Sequence, residues 1–306
     1  MTDVRDHIAG IDLLKIVACF GVVVLHFGPQ TNFAVLSVPV FMFISAYLCG
    51  ALFTGGDRAD LLKRLKRLYV PFAFWGLLYL VLYLLLERSL DLIAIVEQLT
   101  IGVLACPVMY FLFLLMIFSL VLFRIGHSHH RWTVIVMILL FCVIMQYTGA
   151  NAELFSYFPF EIRMVFGRFC ELLPASLFGI CFYLVRGISK SVAVSFGVVF
   201  FCTYMILMVI GVGPGCDGFM YQGMPLLAGT LGISMLGLNL SCGRLKVSRF
   251  AALTPGIYYT HLLVGKSLEM VIGKHRGWIE AVAVFVVSSG LVVVMKRINS
   301  LKEFLR

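Results

Sequence analysis

The sequence predicts an all-α, polytopic integral membrane protein, a helical bundle of about ten transmembrane helices with both termini cytoplasmic. Three observations predict it. The mean hydropathy is +1.03, with 61% hydrophobic and only 13% charged residues, far above the balance of a water-soluble domain. Apolar runs recur along the whole chain at the length a bilayer demands, about 20 residues per helix. Lysine and arginine fall between those runs with a strong side-to-side bias.

The runs are, in order, 11–28, 34–53, 68–86, 106–123, 132–149, 161–185, 191–211, 223–240, 254–273 and 278–295. The first exceeds the about 7–15 apolar residues of a secretory signal and carries Lys15, so it is expected to be a retained span. The sixth is interrupted by Arg168, Glu171 and Pro174. With the N-terminus inside, seventeen of the 24 basic residues lie in inner segments. These are Arg5; the cluster Arg58, Lys63, Arg64, Lys66 and Arg67; Arg124 and Arg131; Arg186 and Lys190; Arg244, Lys246 and Arg249; and Lys296, Arg297, Lys302 and Arg306. The outer loops hold only Arg88, Arg163, Arg168, Lys274 and Arg276, while Lys15 and Lys266 sit within spans. The net charge of +9 is therefore assigned to topology beside anionic lipid and not to nucleic acid.

Between the runs no segment reaches the about 50 residues a second domain needs, so the chain is expected to be a single transmembrane domain over 1–306. Neither a Walker-type loop nor a Gly-rich dinucleotide fingerprint is present, which argues against an ATP-driven pump. The nine cysteines stand singly and mostly within apolar runs, so no disulfide framework and no metal site is expected. His127, His129 and His130 share a loop without a carboxylate or cysteine partner and read as a solvated inner loop.

Ionisable groups inside spans are the first candidates for function, because each costs about 2.5–3.5 kcal/mol at a helix centre. The opening stretch, IDLLKIVACFGVVVLHF, carries Lys15 near one surface and His26 near the other. Eleven residues on a helix are close to three turns, about 16 Å on one face. Two readings fit Lys15: snorkelling to the headgroups with Asp12 as its partner, or a functional cation. For His26 they are an interfacial imidazole bonded to a carbonyl, or a catalytic base. Arg64 and Arg67, in the cluster after the second span, read either as a positive-inside anchor or as bidentate donors to phosphate. Arg168 and Glu171 are i, i+3 neighbours that either neutralise one another or serve an acceptor and orient an imidazole. His261, beside Tyr258 and Tyr259, reads most simply as a packed, hydrogen-bonded group.

Taken together these segments resemble the acyltransferase-3 family of bacterial integral-membrane acyltransferases. In that family the first helix carries a basic residue, ten intervening residues and a histidine, the spacing of Lys15 and His26, with lysine here in place of the commoner arginine. VPVFMFISAYLCG (Val38 to Gly50) resembles the second-span motif, with Ala46 where glycine is usual. RLKRLYVP (Arg64 to Pro71) is similar to the family's Arg-x-x-Arg and following proline. PVMYFLFLLM (Pro107 to Met116) resembles a fourth-span stretch in which His and Trp are frequent; Val108 and Tyr110 stand there. GRFCELLPASLFGI (Gly167 to Ile180) and GIYYTHLLV (Gly256 to Val264) are similar to later segments.

The resemblance implies acyl transfer, usually of acetyl, from cytoplasmic acyl-CoA to a hydroxyl of a cell-envelope or exported carbohydrate, sometimes lipid-linked, in the bacterial inner membrane. Acyl-CoA is then a cosubstrate, no cofactor is held permanently, and no metal is implied. Lys15, Arg64 and Arg67 are expected to bind acyl-CoA; His26, as general base or transient acyl acceptor, and Glu171 to carry the chemistry; and Arg168, Tyr110 and His261 to bind the acceptor. The alternative from another class is a transporter or flippase for a glycan or its lipid-linked precursor. Against it, the chain lacks the paired half-repeats of a transporter.

Overall fold

The computed structural model describes residues 4–29, 31–87, 109–148, 160–185, 187–210, 224–240, 247–273 and 275–305. Among the described residues the regular structure is helical throughout. In chain order the α-helices are α1 Val4–Phe27, α2 Asn32–Leu48, α3 Gly50–Gly55, α4 Arg58–Glu87, α5 Met109–Gly126, α6 Arg131–Thr148, α7 Phe160–Leu184, α8 Lys190–Val209, α9 Met224–Asn239, α10 Val247–Ala251, α11 Thr254–Ile272 and α12 Trp278–Arg297. A 3-10 segment, Asn299–Leu305, follows.

Among the described residues each of the ten apolar runs is helical, the second divided between α2 and α3 at Cys49, and six helical stretches are long and apolar enough to cross a membrane. The protein is a multi-pass, all-α membrane protein. Ten spans are not reached among the described residues on length and apolarity alone; α9 has only 16 residues, and α11 carries His261, Lys266 and Glu269 within it. Arg88, Arg186, Arg244, Lys246, Lys274 and Arg306, which the charge bias uses for orientation, lie outside the described residues, as does Val108.

Capping chemistry explains where the helices depart from the apolar runs. The third run begins at 68, but α4 starts ten residues earlier because the Asp57 carboxylate accepts from the Asp60 N–H at 2.8 Å. The basic cluster is thus helical and not a loop. Thr31 caps α2 and Ser189 caps α8 in the same way. Pro71, Pro39 and Pro174 lie inside α4, α2 and α7, and α7 continues through Arg168, Glu171 and Pro174 without a break.

The chain forms two compact units that interleave in sequence. The first comprises Met1–Val22, Thr31–Gly56 and Val121–Ala251. Within it α2 packs on α7 and α9, and α8 covers α9. Ile11, Leu14 and Ala18 of α1 meet Phe43, Ile44 and Tyr47 of α2 and Leu231 and Leu238 of α9 in one buried cluster. In lipid the gain comes from close packing rather than from removing apolar surface from water, so small residues mark the contacts. Gly179 of α7 is such a residue: a Cβ there would lie 2.3 Å from the Phe43 carbonyl oxygen of α2. The outward faces are apolar as lipid requires; Val209 of α8 is 82% exposed.

The second unit comprises Val23–Gln30, Asp57–Leu120 and Ala252–Arg306. Here α11 packs along α12, and the 3-10 segment folds back on α4, α11 and α12. Trp75 of α4 donates from Nε1 to the Phe304 carbonyl at 2.9 Å, Phe74 stacks on Phe304 at 4.2 Å between centroids, and Leu305 is fully buried. Lys296 of α12 donates to the Ala252 carbonyl just ahead of α11.

Candidate active site

The second unit brings together two histidines that lie 235 residues apart in sequence. His26, on the last turn of α1, and His261, on α11, face one another with ring centroids 5.3 Å apart and planes inclined at 41°. His261 is fully buried and His26 half-buried. Phe27 meets His261 edge-on at 6.3 Å, Tyr258 lies 5.9 Å from it, and Phe111 of α5 packs on Tyr258 at 5.5 Å. The pair therefore has an aromatic wall from three helices.

Spacing on α11 explains the approach. Tyr258, His261 and Gly265 follow at i, i+3 and i+7, so they share one face. Gly265 lets α1 come close: a Cβ there would fall 2.0 Å from Cζ of the buried Phe27. Gly265→Ala is accordingly expected to force Phe27 aside and disturb the neighbouring histidine, at a cost of about 1–3 kcal/mol. A lowered melting temperature with a steep loss of turnover is the expected result; an unchanged protein would show that the two helices separate freely.

His261 Nδ1 lies 2.7 Å from the Tyr258 carbonyl oxygen. Between a ring nitrogen and a carbonyl the hydrogen belongs to the nitrogen, so Nδ1–H donates and Nε2 keeps the lone pair. That Nε2 is buried and has no hydrogen-bond partner among the described residues. The site thus offers a fixed acceptor nitrogen beside a second, partly accessible imidazole.

The remaining sequence candidates are placed as follows. Lys15, half-buried on α1, pairs with Asp12 one turn earlier, Nζ to Oδ1 at 3.2 Å. Arg64 is half-buried and donates from Nε to the buried Ser119 hydroxyl at 2.9 Å, whereas Arg67 is exposed. Tyr110 is half-buried on the first turn of α5, next to Phe111. Arg168 and Glu171 belong to the first unit and pair with one another at 2.6 Å, both side chains buried. An opening in that unit, lined by Pro39, Pro174 and Thr230, reaches Glu171. Among the described residues no group of three or more His, Cys, Asp or Glu could hold a metal.

The family model described as an acyltransferase domain matches residues 8–297 of the 306. The chain belongs to the acyltransferase-3 family. It is a membrane acyltransferase, with His26 and His261 both inside the matched region. No curated protein and no solved structure matches it. Two residues around the pair carry no signal in the apolar pattern of this acyltransferase: Gly265, one glycine among 28, and Tyr79, one aromatic in a Leu- and Tyr-rich run. The usable clue to Tyr79 is that a tyrosine hydroxyl inside a span has to find a partner.

Proposed function

We propose that this acyltransferase moves a short acyl group, acetyl, from cytoplasmic acyl-CoA to a hydroxyl of an envelope or exported carbohydrate, in the inner membrane of a bacterium. The observation that carries the reading is the facing pair of imidazoles, half-buried His26 and buried His261, in a membrane acyltransferase domain. Ring centroids 5.3 Å apart allow two neighbouring hydroxyls of one sugar to meet one nitrogen each. His26, the more accessible, takes the hydroxyl proton; the oxygen attacks the thioester carbonyl; the tetrahedral adduct expels the CoA thiolate; and the imidazolium returns its proton to that sulfur. His261 accepts at Nε2 a hydrogen bond from a second hydroxyl of the carbohydrate and so orients it. In the covalent variant His26 itself attacks the thioester and expels the CoA thiolate, and the acceptor hydroxyl, its proton passing to that thiolate, then displaces the acyl group from the ring.

Acyl-CoA is assigned to Lys15, Arg64 and Arg67 on charge, since its phosphates require cations. Lys15 and His26 are eleven residues apart in sequence, the spacing of close to three helical turns. A phosphate at Lys15 competes with Asp12 for the ammonium. Lys15→Ala is therefore expected to raise KM for acetyl-CoA about ten- to hundredfold, the equivalent of one charge-assisted contact of about 1.5–3 kcal/mol, with kcat little changed. Lys15→Arg should retain function. An alanine variant with unaltered donor dependence would leave Lys15 as an anchor only.

The direct test incubates the purified protein with acetyl-CoA labelled in the acetyl group and with envelope carbohydrate fractions. Label on carbohydrate with release of CoA is expected. Absence of acyl turnover with every fraction would overturn the reading and favour glycan transport.

A further inference from the structure

In a regular α-helix each N–H bonds the carbonyl four residues earlier, so Leu263 is the partner of Tyr259. In α11 a side chain from another helix bonds both groups of that rung. The Tyr79 hydroxyl of α4 donates to the Tyr259 carbonyl at 2.7 Å and accepts from the Leu263 N–H at 3.2 Å. Tyr79 is buried, and Trp75, one turn earlier on α4, packs against both Tyr79 and Tyr259 at 6.3 and 6.1 Å between centroids. Trp75 is in turn held by the Phe304 carbonyl. The phenol is thus fixed from behind by the 3-10 segment and in front by two backbone groups.

His261 is the residue midway along the bracketed rung. Its Nδ1 bonds the Tyr258 carbonyl, one peptide before the carbonyl that Tyr79 holds. A buried hydroxyl that bonds both groups of a rung ties that turn to the helix supplying it. The turn so held carries the imidazole, its tautomer-setting carbonyl and, four residues on, the glycine against Phe27.

We propose that Tyr79 is a positioning residue for His261: its hydroxyl clamps the helical rung that brackets the histidine and holds the imidazole against His26 in the orientation and tautomer that transfer requires. The proposal rests on the acyltransferase reading given above and adds to it a residue that touches neither substrate. A purely structural tyrosine, satisfying its own buried hydroxyl, predicts loss of stability alone.

Tyr79→Phe separates the two, because it keeps the ring and its packing while removing the hydroxyl from both groups of the rung. The experiment compares full-length wild-type and variant protein in nanodiscs by labelled acetyl transfer and by the ring 15N resonances of histidine. Turnover is expected to fall about ten- to hundredfold at unchanged KM for acetyl-CoA, as for a misplaced catalytic group. The His261 resonances are expected to leave the pattern of a single Nδ1–H tautomer. Trp75→Phe, which removes the bond to Phe304 and keeps a ring, should move both readouts in the same direction by less.

Wild-type turnover in Tyr79→Phe overturns the proposal, whatever happens to the melting temperature. Lost turnover with an unaltered His261 spectrum overturns it as well, since the clamp then does not act through His261. If the wild-type protein transfers no acyl group, the acyltransferase reading has failed; the spectrum then decides the clamp by itself. Wild-type turnover in His261→Ala would instead remove His261 from the reaction.

Discussion

Alanine at His26 is expected to abolish acyl transfer while membrane insertion and yield stay at wild-type levels. A positioned general base contributes about 10²–10⁴-fold, and an acyl-accepting nucleophile would leave still less. The site gives a reason for insertion to survive: His26 sits half-buried on the last turn of α1, and the packing of that turn is carried by the fully buried Phe27 against Gly265. Transfer is read as label passing from acetyl-CoA to carbohydrate. Label retained on wild-type protein without an acceptor, and absent from the alanine variant, would select the covalent route. His261→Ala should cost less, because it removes an orienting contact and leaves the base. The double variant should be little worse than His26→Ala alone, since groups acting in one step are not additive. Residual activity in His26→Ala above about a tenth of wild type would take His26 out of the chemistry.

The architecture was legible because lipid imposes it. Every backbone group inside a bilayer has to be satisfied within the chain, so long apolar runs become helices wherever they occur. The ten runs fall on helices for that reason. Helix starts were less legible where a cap recruits polar sequence: Asp57 pulls the basic cluster into α4, and charge had suggested a loop.

For the site, the first-helix spacing pointed to His26, because an imidazole inside an apolar run is costly and local pattern exposes it. The contact between His26 and His261 was not legible. It depends on which face of α11 meets α1, and that is decided by Gly265, whose only distinction is the side chain it lacks. Tyr79 was hidden for the converse reason. Its ring fits a lipid-compatible helix, and its hydroxyl acts on backbone groups of a helix far along the chain, which periodicity does not register.

The Arg168 and Glu171 pair is where removing one atom group should have the largest effect on stability. Side-chain exposures of 9% and 0% leave neither group to water. Removing one partner of a buried ion pair costs about 3–5 kcal/mol. Glu171→Ala is therefore expected to lower the melting temperature by many degrees, measured with a thiol-reactive dye that reports exposure of the buried Cys19 and Cys49. The double variant Arg168→Met, Glu171→Leu keeps the volume and removes both charges, and replacements of this kind are often neutral or stabilising. It should regain the melting temperature, and its turnover then decides between the two roles that i, i+3 spacing left open. If turnover returns with stability, the pair is neutralised structure in α7 and the chemistry belongs to the histidines. If a stable double variant stays inactive, Arg168 and Glu171 act on the acceptor, reached through the opening lined by Pro39, Pro174 and Thr230. Wild-type melting of Glu171→Ala would contradict the burial on which both roles depend.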